Sequence, residues 1–423
     1  MGTAMLARHM SSPAPSLTSA APPDALPVPA QAILLLALAA FASGVSLRIT
    51  DPLLPRLAME FGVSLGGASS VVTAFSIAYG FSQLLFGPLG DRYGKYVVVA
   101  WACMASALTS LACGLAPNFE SLIVARLLSG ATAAAVIPLS MAWIGDVVPY
   151  AIRQPVIARF LVGQIMGLST GVLVGGLAAD HLGRHWPFIG IAAIFLGIGI
   201  ALLSLDKRLP AQAKLTSRVA GHVVQRTVAE FGAVLAKPWA RVVLLTVFLE
   251  GGFLYGCFAF IAAHLHAQFA ISLASAGLLV MLFGMGGLLF AGASKWMVKR
   301  LGEAGMALWG GVLMALSLAL VAFGPTWWWS IPGCFIAGLG FYMLHNTLQT
   351  NATQMAPERR GAAVASFASL FYMGQTAGVW AAGMLIGIAG SRVVIGLGAL
   401  GVLVVGFGFS RLRTHSPHAH RGA

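Results

Sequence analysis

Charge is what this chain has least of. Only 9% of its 423 residues are charged against 58% hydrophobic, and 12 acidic residues face 25 Lys and Arg. So little polar surface cannot wrap a water-soluble globule of this length, and lipid has to supply the outer solvent. Cysteine is nearly as sparse. Cys103, Cys113, Cys257 and Cys334 lie singly within apolar stretches, which argues against a disulfide framework or a zinc site and leaves packing as their role. No GxxxxGK[ST] loop is present, which argues against an ATP-driven pump, and no cofactor or metal is expected. The segment 1–30 lacks the basic start, short apolar core and small-residue cleavage site of a signal peptide and is expected to form a disordered cytoplasmic tail.

What the chain has instead is a series of apolar stretches, about a dozen, each long enough to cross a ~30 Å hydrocarbon layer as a helix. They predict spans near residues 31–54, 69–86, 96–115, 121–144, 156–179, 186–205, 239–263, 273–294, 306–323, 329–354, 362–389 and 393–409. The net charge of +13 could point to nucleic acid, but the cations fall on alternate loops. All Lys and Arg except Arg48, Arg56, Arg126, Arg184 and Arg392 lie on one side if the amino terminus is inside. The positive-inside rule therefore predicts both termini in the cytoplasm and no nucleic-acid partner. Trp327, Trp328 and Trp329 suit an aromatic anchor at the outer interface.

Four divisions follow from this pattern: a bundle over 31–205, a basic linker over 206–238, a second bundle over 239–411, and a tail over 412–423. Within the linker, Val219, Val223, Phe231 and Leu235 recur at helical spacing, which predicts an amphipathic helix at the inner surface. In the tail, His415, His418 and His420 invite a metal, but a short flexible segment without nearby Cys or carboxylate is expected to stay solvated. An internal repeat supports the two bundles. Gly94, Gly130 and Pro149 match Gly302, Gly338 and Pro357 at one constant offset, and the same offset carries Arg92 onto Arg300. A change of loop length sets Gly163-Gln164-Ile165-Met166-Gly167 against Gly374-Gln375-Thr376-Ala377-Gly378.

Between the second and third spans runs Gly87-Pro88-Leu89-Gly90-Asp91-Arg92-Tyr93-Gly94-Lys95. Gly87, Leu89, Asp91, Arg92, Gly94 and Lys95 match the loop Gly-x-Leu-Ala-Asp-Arg-x-Gly-Arg-Lys, and through it the chain resembles the major facilitator superfamily. Arg126 followed by Gly130 resembles that family's second motif. Gly167, Gly171, Gly175 and Gly176 resemble its third, an antiporter-associated helix, with Val172 where the family has proline. The resemblance covers nearly everything from Gln31 to Phe409. It implies an all-α membrane protein with twelve transmembrane helices in two pseudo-symmetric six-helix bundles, acting as a secondary transporter and not an enzyme. It also implies that Asp91 latches the cytoplasmic side by facing the start of helix eleven, just beyond Pro357-Glu358-Arg359-Arg360.

Among the family's branches, the resemblance is to proton-coupled exporters of drugs or metabolites in a bacterial inner membrane. A small organic substrate and protons are the expected partners of a monomer. A proton-coupled importer of nutrients, or a transport-inactive sensor or scaffold, stays open at this point. Arg126 within a span needs an acceptor, because an unpaired mid-bilayer charge costs about 2.5–3.5 kcal/mol on insertion scales, and Asp51 lies at comparable depth. Asp51 could equally orient a loop at the interface. Glu250, about ten residues into helix seven, is placed to exchange a proton as water access changes, or to serve as a permanently neutral structural acid. His345, Asn346 and Gln349 interrupt helix ten, and with Tyr79, Gln83, Gln164, Tyr255, Tyr372 and Gln375 they form a candidate substrate cavity. Interhelical hydrogen bonding is the competing role for any one of them.

Overall fold

The computed structural model describes residues 29–210, 214 and 223–414, and every described regular element is helical. The tail expectations for residues 1–28 and 415–423 lie outside the described residues, as does most of 211–222, including Val219. In chain order the α-helices are α1 (Ala30–Arg48), α2 (Leu54–Phe61), α3 (Leu65–Ala68), α4 (Ser70–Tyr93), α5 (Lys95–Leu115), α6 (Phe119–Ala133), α7 (Val136–Val147) and α8 (Tyr150–Leu177). After a π-helical turn at Ala178–Leu182 come α9 (His185–Asp206), α10 (Val223–Leu235), α11 (Pro238–Phe258), α12 (Ile261–Phe269), α13 (Leu273–Phe323), α14 (Ser330–Gln354) and α15 (Arg360–Thr414). Nine helical stretches of the described residues are long and apolar enough to cross a membrane.

Two of these stretches are too long for one crossing and bend where the sequence places glycine. The backbone leaves helical geometry inside α13 at Gly302 (φ 63°, ψ 176°) and inside α15 at Gly390 (φ 78°, ψ 162°), a region essentially reserved for glycine. Gly183, between α8 and α9, has the same geometry (φ 80°, ψ 167°). Helix starts are specified locally: Asn118 and Ser121 form a capping box for α6, Ser272 caps α13, and Pro238 opens α11. The linker holds the helix α10 over part of the segment expected to be amphipathic, and this helix lies against α4, α11 and α15.

Large apolar side chains such as Trp101, Leu108, Ile200, Leu400 and Val404 point outward, while Arg126 and Glu250 are wholly buried. That inverts the pattern of a soluble protein, as the scarcity of charge requires. Inside, the helices meet backbone to backbone along glycines. A Cβ on Gly163, Gly167, Gly171 or Gly175 of α8 would press on the carbonyl oxygens of Ala37, Phe41, Val45 and Ile49 of α1 respectively. The stripe thus packs helix on helix at every turn. The second half does the same, with Gly374 and Gly378 of α15 set against the carbonyls of Phe248 and Gly252 of α11.

These contacts also define the repeat. Gly130 sits on Phe75 and Gly338 on Phe283, and Gly338 follows Gly130 at the same interval as Phe283 follows Phe75. The register expected for the glycine helix is corrected by one turn. Gly167 and Gly171 occupy the places of Gly374 and Gly378, because on that register the contact of Gly66 with Gly383 corresponds to the contact of Ala274 with Gly176, and both are present. A stripe of period four matches itself after a shift of four, so sequence alone did not separate the two alignments.

Candidate functional site

The two halves meet where α4 faces α15 and α8 faces α13. At one end of this seam the approach is close. Gly66 lies against Gly383, and Gly176 against the start of α13 at Leu273. At the other end, near Asp91, a Cβ on Gly87, Gly145, Gly292 or Gly361 would meet nothing within 4 Å.

Midway along the seam lies a buried polar group centred on Arg48. Its Nη1 donates to Asp51 Oδ2 at 3.3 Å and its Nη2 to Gln375 Oε1 at 3.1 Å. Its guanidinium carbon sits 3.9 Å from the ring centre of Tyr255, a cation–π contact. Gln375 Nε2 donates in turn to Ser76 Oγ at 2.8 Å. Arg48, Asp51 and Ser76 belong to the first half, Tyr255 and Gln375 to the second, so this group bridges the seam. Beside it Tyr79 and Tyr372 bring their rings to 4.4 Å, one from each half. A cavity of about 10 Å³, the size of one water molecule, is lined by Arg48, Ser169, Tyr255, Phe258 and Phe283 among others.

Arg48 is the residue that sequence reasoning missed. It stands at the last position of α1, where it reads as an interfacial charge, and the signal that could have found it is the Arg-x-x-Asp spacing to Asp51, one helical turn away. The same spacing corrects the partner expected for Arg126. Asp51 pairs with Arg48, while Arg126 donates to the carbonyls of Ser46 (3.1 Å) and Val71 (3.4 Å) and to Thr50 Oγ1 (3.4 Å), with its guanidinium over Phe75. Arg126 stands two turns into α6. Neutral oxygens from α1, the turn that follows it and α4 satisfy it where one carboxylate was expected.

Glu250 and His345, singled out separately, are brought together. His345 Nδ1 lies 2.9 Å from Glu250 Oε2; the carboxylate is wholly buried and the imidazole side chain 17% exposed. Phe341, Phe367 and Phe371 surround the ring. Among the described residues Glu250 Oε1 has no hydrogen-bond partner. Gln83 is buried with its Oε1 unpartnered among the described residues, whereas Gln164, Asn346 and Gln349 are half-buried. In this structure Asp91 does not face the start of α15. It pairs with Lys95 at 3.6 Å, and Lys95 reaches Asp146 at 2.6 Å. Glu358, near the expected partner, is engaged by Lys237.

The sequence profile of the Major Facilitator Superfamily matches residues 36–359 and 251–423. The chain belongs to this family. It is therefore a multi-pass membrane transporter and not an enzyme. It is 25% identical over 353 residues to the uncharacterized MFS-type transporter YceJ of Bacillus subtilis, covering 82% of this chain and 86% of that one. Over 171 residues it is 30% identical to the multidrug export protein EmrB of Escherichia coli, covering 40% of this chain and 33% of EmrB. A mutant form of the nucleoside transporter NupG superposes with a TM-score of 0.74 at 17% identity, covering 90% of this chain and 99% of NupG, which speaks to the fold alone.

Proposed function

We propose that this transporter exports a small organic molecule in exchange for protons, by alternating access of a site at the seam between two six-helix bundles. Dividing α13 at Gly302 and α15 at Gly390, and counting α14, brings the nine apolar stretches to twelve crossings. On this reading the bundles span 31–205 and 239–411, joined by the 206–238 linker, in a monomer of a bacterial inner membrane with both termini cytoplasmic. The Asp91 end, with its concentration of cations, is then the cytoplasmic side.

The observation that carries the proton is the Glu250–His345 pair. A carboxylate sealed from solvent cannot exchange protons directly, but its partner imidazole is partly exposed and lies within hydrogen-bond distance. His345 is thus the relay and Glu250 the store. The likeness to EmrB, named for multidrug export, supports the outward direction over the third of that protein it covers. Val172, in place of proline in the glycine helix, is the feature that favours import. Transport direction in inverted vesicles decides between them.

The test uses purified protein in liposomes, with a substrate chosen by thermal-shift screening at acid and alkaline pH. Glu250→Gln keeps the shape and one hydrogen bond to His345 but cannot carry a proton. Expected is loss of accumulation driven by a pH gradient, by roughly 100-fold, a magnitude typical of removing an acid–base group. Substrate-for-substrate exchange, which needs no net proton movement, should persist and report a folded carrier. Gradient-driven accumulation by Glu250→Gln at the wild-type level removes Glu250 from the mechanism.

A further inference from the structure

Asp180 stands where a carboxylate is least favoured by its own half. It lies in the π-helical turn Ala178–Leu182 that ends α8, and the carbonyl end of a helix repels negative charge. Its compensation comes from the other half. Oδ1 accepts from the backbone N–H of Leu273 at 3.3 Å and Oδ2 from that of Ala274 at 2.6 Å, the first two residues of α13. Ser272, the local cap of α13, accepts from the N–H of Ser275, leaving those two amides to Asp180. The backbone makes the approach possible. Gly176 and Gly277 bring α8 and α13 into contact one turn away, and the widened turn re-aims the carboxylate across the seam.

We propose that Asp180 is a latch between the halves: it closes the site at this end by capping a helix of the opposite bundle, and its release is part of opening that side. The proposal rests on the alternating-access reading above. Asp91 occupies the corresponding situation at the far end. It too lies in the last turn of a first-half helix, α4, yet here it pairs with Lys95. One carboxylate is engaged with the other half while its counterpart is held by its own, as two latches used in turn would be. The Asp180 contact has no counterpart among the motifs by which the chain resembles its family, and hydropathy gives no sign of it.

Distance distributions between spin labels test the latch. The four native cysteines are buried, so labels on Glu120→Cys and Gln268→Cys, exposed positions at this end of either half, report its opening. Asp180→Asn keeps one acceptor and loses the charge; Asp180→Ala loses both. Expected is a rise in the long-distance population of about 2- to 5-fold for Asp180→Asn, as for an exposed carboxylate at a helix start, and more for Asp180→Ala. Glu60→Gln breaks an ion pair of the same end, Arg184–Glu60 at 2.6 Å, that lies within one half, and should leave the distribution unchanged. Distributions for both Asp180 variants that coincide with wild type overturn the latch, as does an equal shift from Glu60→Gln. Transport by those same variants keeps the carrier reading standing when the latch fails.

Discussion

In the first half Gly167 rests on the carbonyl of Phe41 and Gly130 on that of Phe75; in the second, Gly374 rests on Phe248 and Gly338 on Phe283. The buried polar groups do not follow this duplication. The offset that carries Gly130 onto Gly338 carries Arg126 onto buried Cys334, and the one that carries Gly374 back onto Gly167 carries Glu250 back onto buried Ser43. Arg48 and Tyr255 occupy equivalent places and stack on one another across the seam. Contacts made by backbone against backbone need only glycine, so they survive when neighbouring side chains diverge. Each half can then keep one frame while only the second carries the acid–imidazole pair.

The sharpest way to break this equivalence is to fill both copies of the same contact. Gly130→Val and Gly338→Val each thrust a branched side chain into a carbonyl of the neighbouring helix. Overpacking of this kind costs about 1–3 kcal/mol and more where backbone must move, so about 3 kcal/mol is expected from each. Thermal unfolding in detergent measures it. Similar losses support the duplicated frame, whereas a large loss from one and none from the other breaks it.

A smaller effect is expected at the turns. At Gly302 and Gly390 a Cβ would meet open space, so any penalty is that of the backbone alone. Gly302→Ala and Gly390→Ala should each destabilise by about 1–3 kcal/mol, read by the same unfolding experiment, because non-glycine residues hardly visit this region. Alanine tolerated at one turn and not the other would show that the two halves fold back by different means.

Features of the two halves differ in how openly the sequence carries them. Hydropathy isolates Glu250 and Arg126 because a charge within an apolar run stands out at any register, and both are buried. Gly302 is marked by its match to Gly94. Partners are harder to read, because they depend on rotation and depth. Asp51 and Arg126 share a depth, yet Arg48, one turn before Asp51 on the same chain, takes the carboxylate. The pairing of Glu250 with His345 joins helices far apart in the chain, and no local pattern encodes it. The Asp91 expectation describes a contact between halves that, on the alternating-access reading, one conformation makes and another breaks, so a sequence matching the motif does not say which is present.

The smallest predicted effect concerns the seam itself. Ser76 Oγ accepts the amide of Gln375, and the place equivalent to Ser76 in the second half is Gly284, with no hydroxyl to offer. Ser76→Ala therefore removes a polar contact that exists in one half only and leaves the glycine frame untouched. A buried hydrogen bond contributes about 1 kcal/mol net, equivalent to a roughly fivefold change in a two-state population. Because Ser76 and Gln375 lie in different halves, opening the seam hydrates both, so the loss falls on the closed arrangement alone. The Glu120→Cys and Gln268→Cys label pair should show that shift without a change in unfolding temperature beyond about 2 °C, as expected for a loss near 1 kcal/mol in a large chain. No shift would mean that glycine packing by itself sets the closed state, and that the asymmetric polar groups serve substrate and proton rather than the joint between halves.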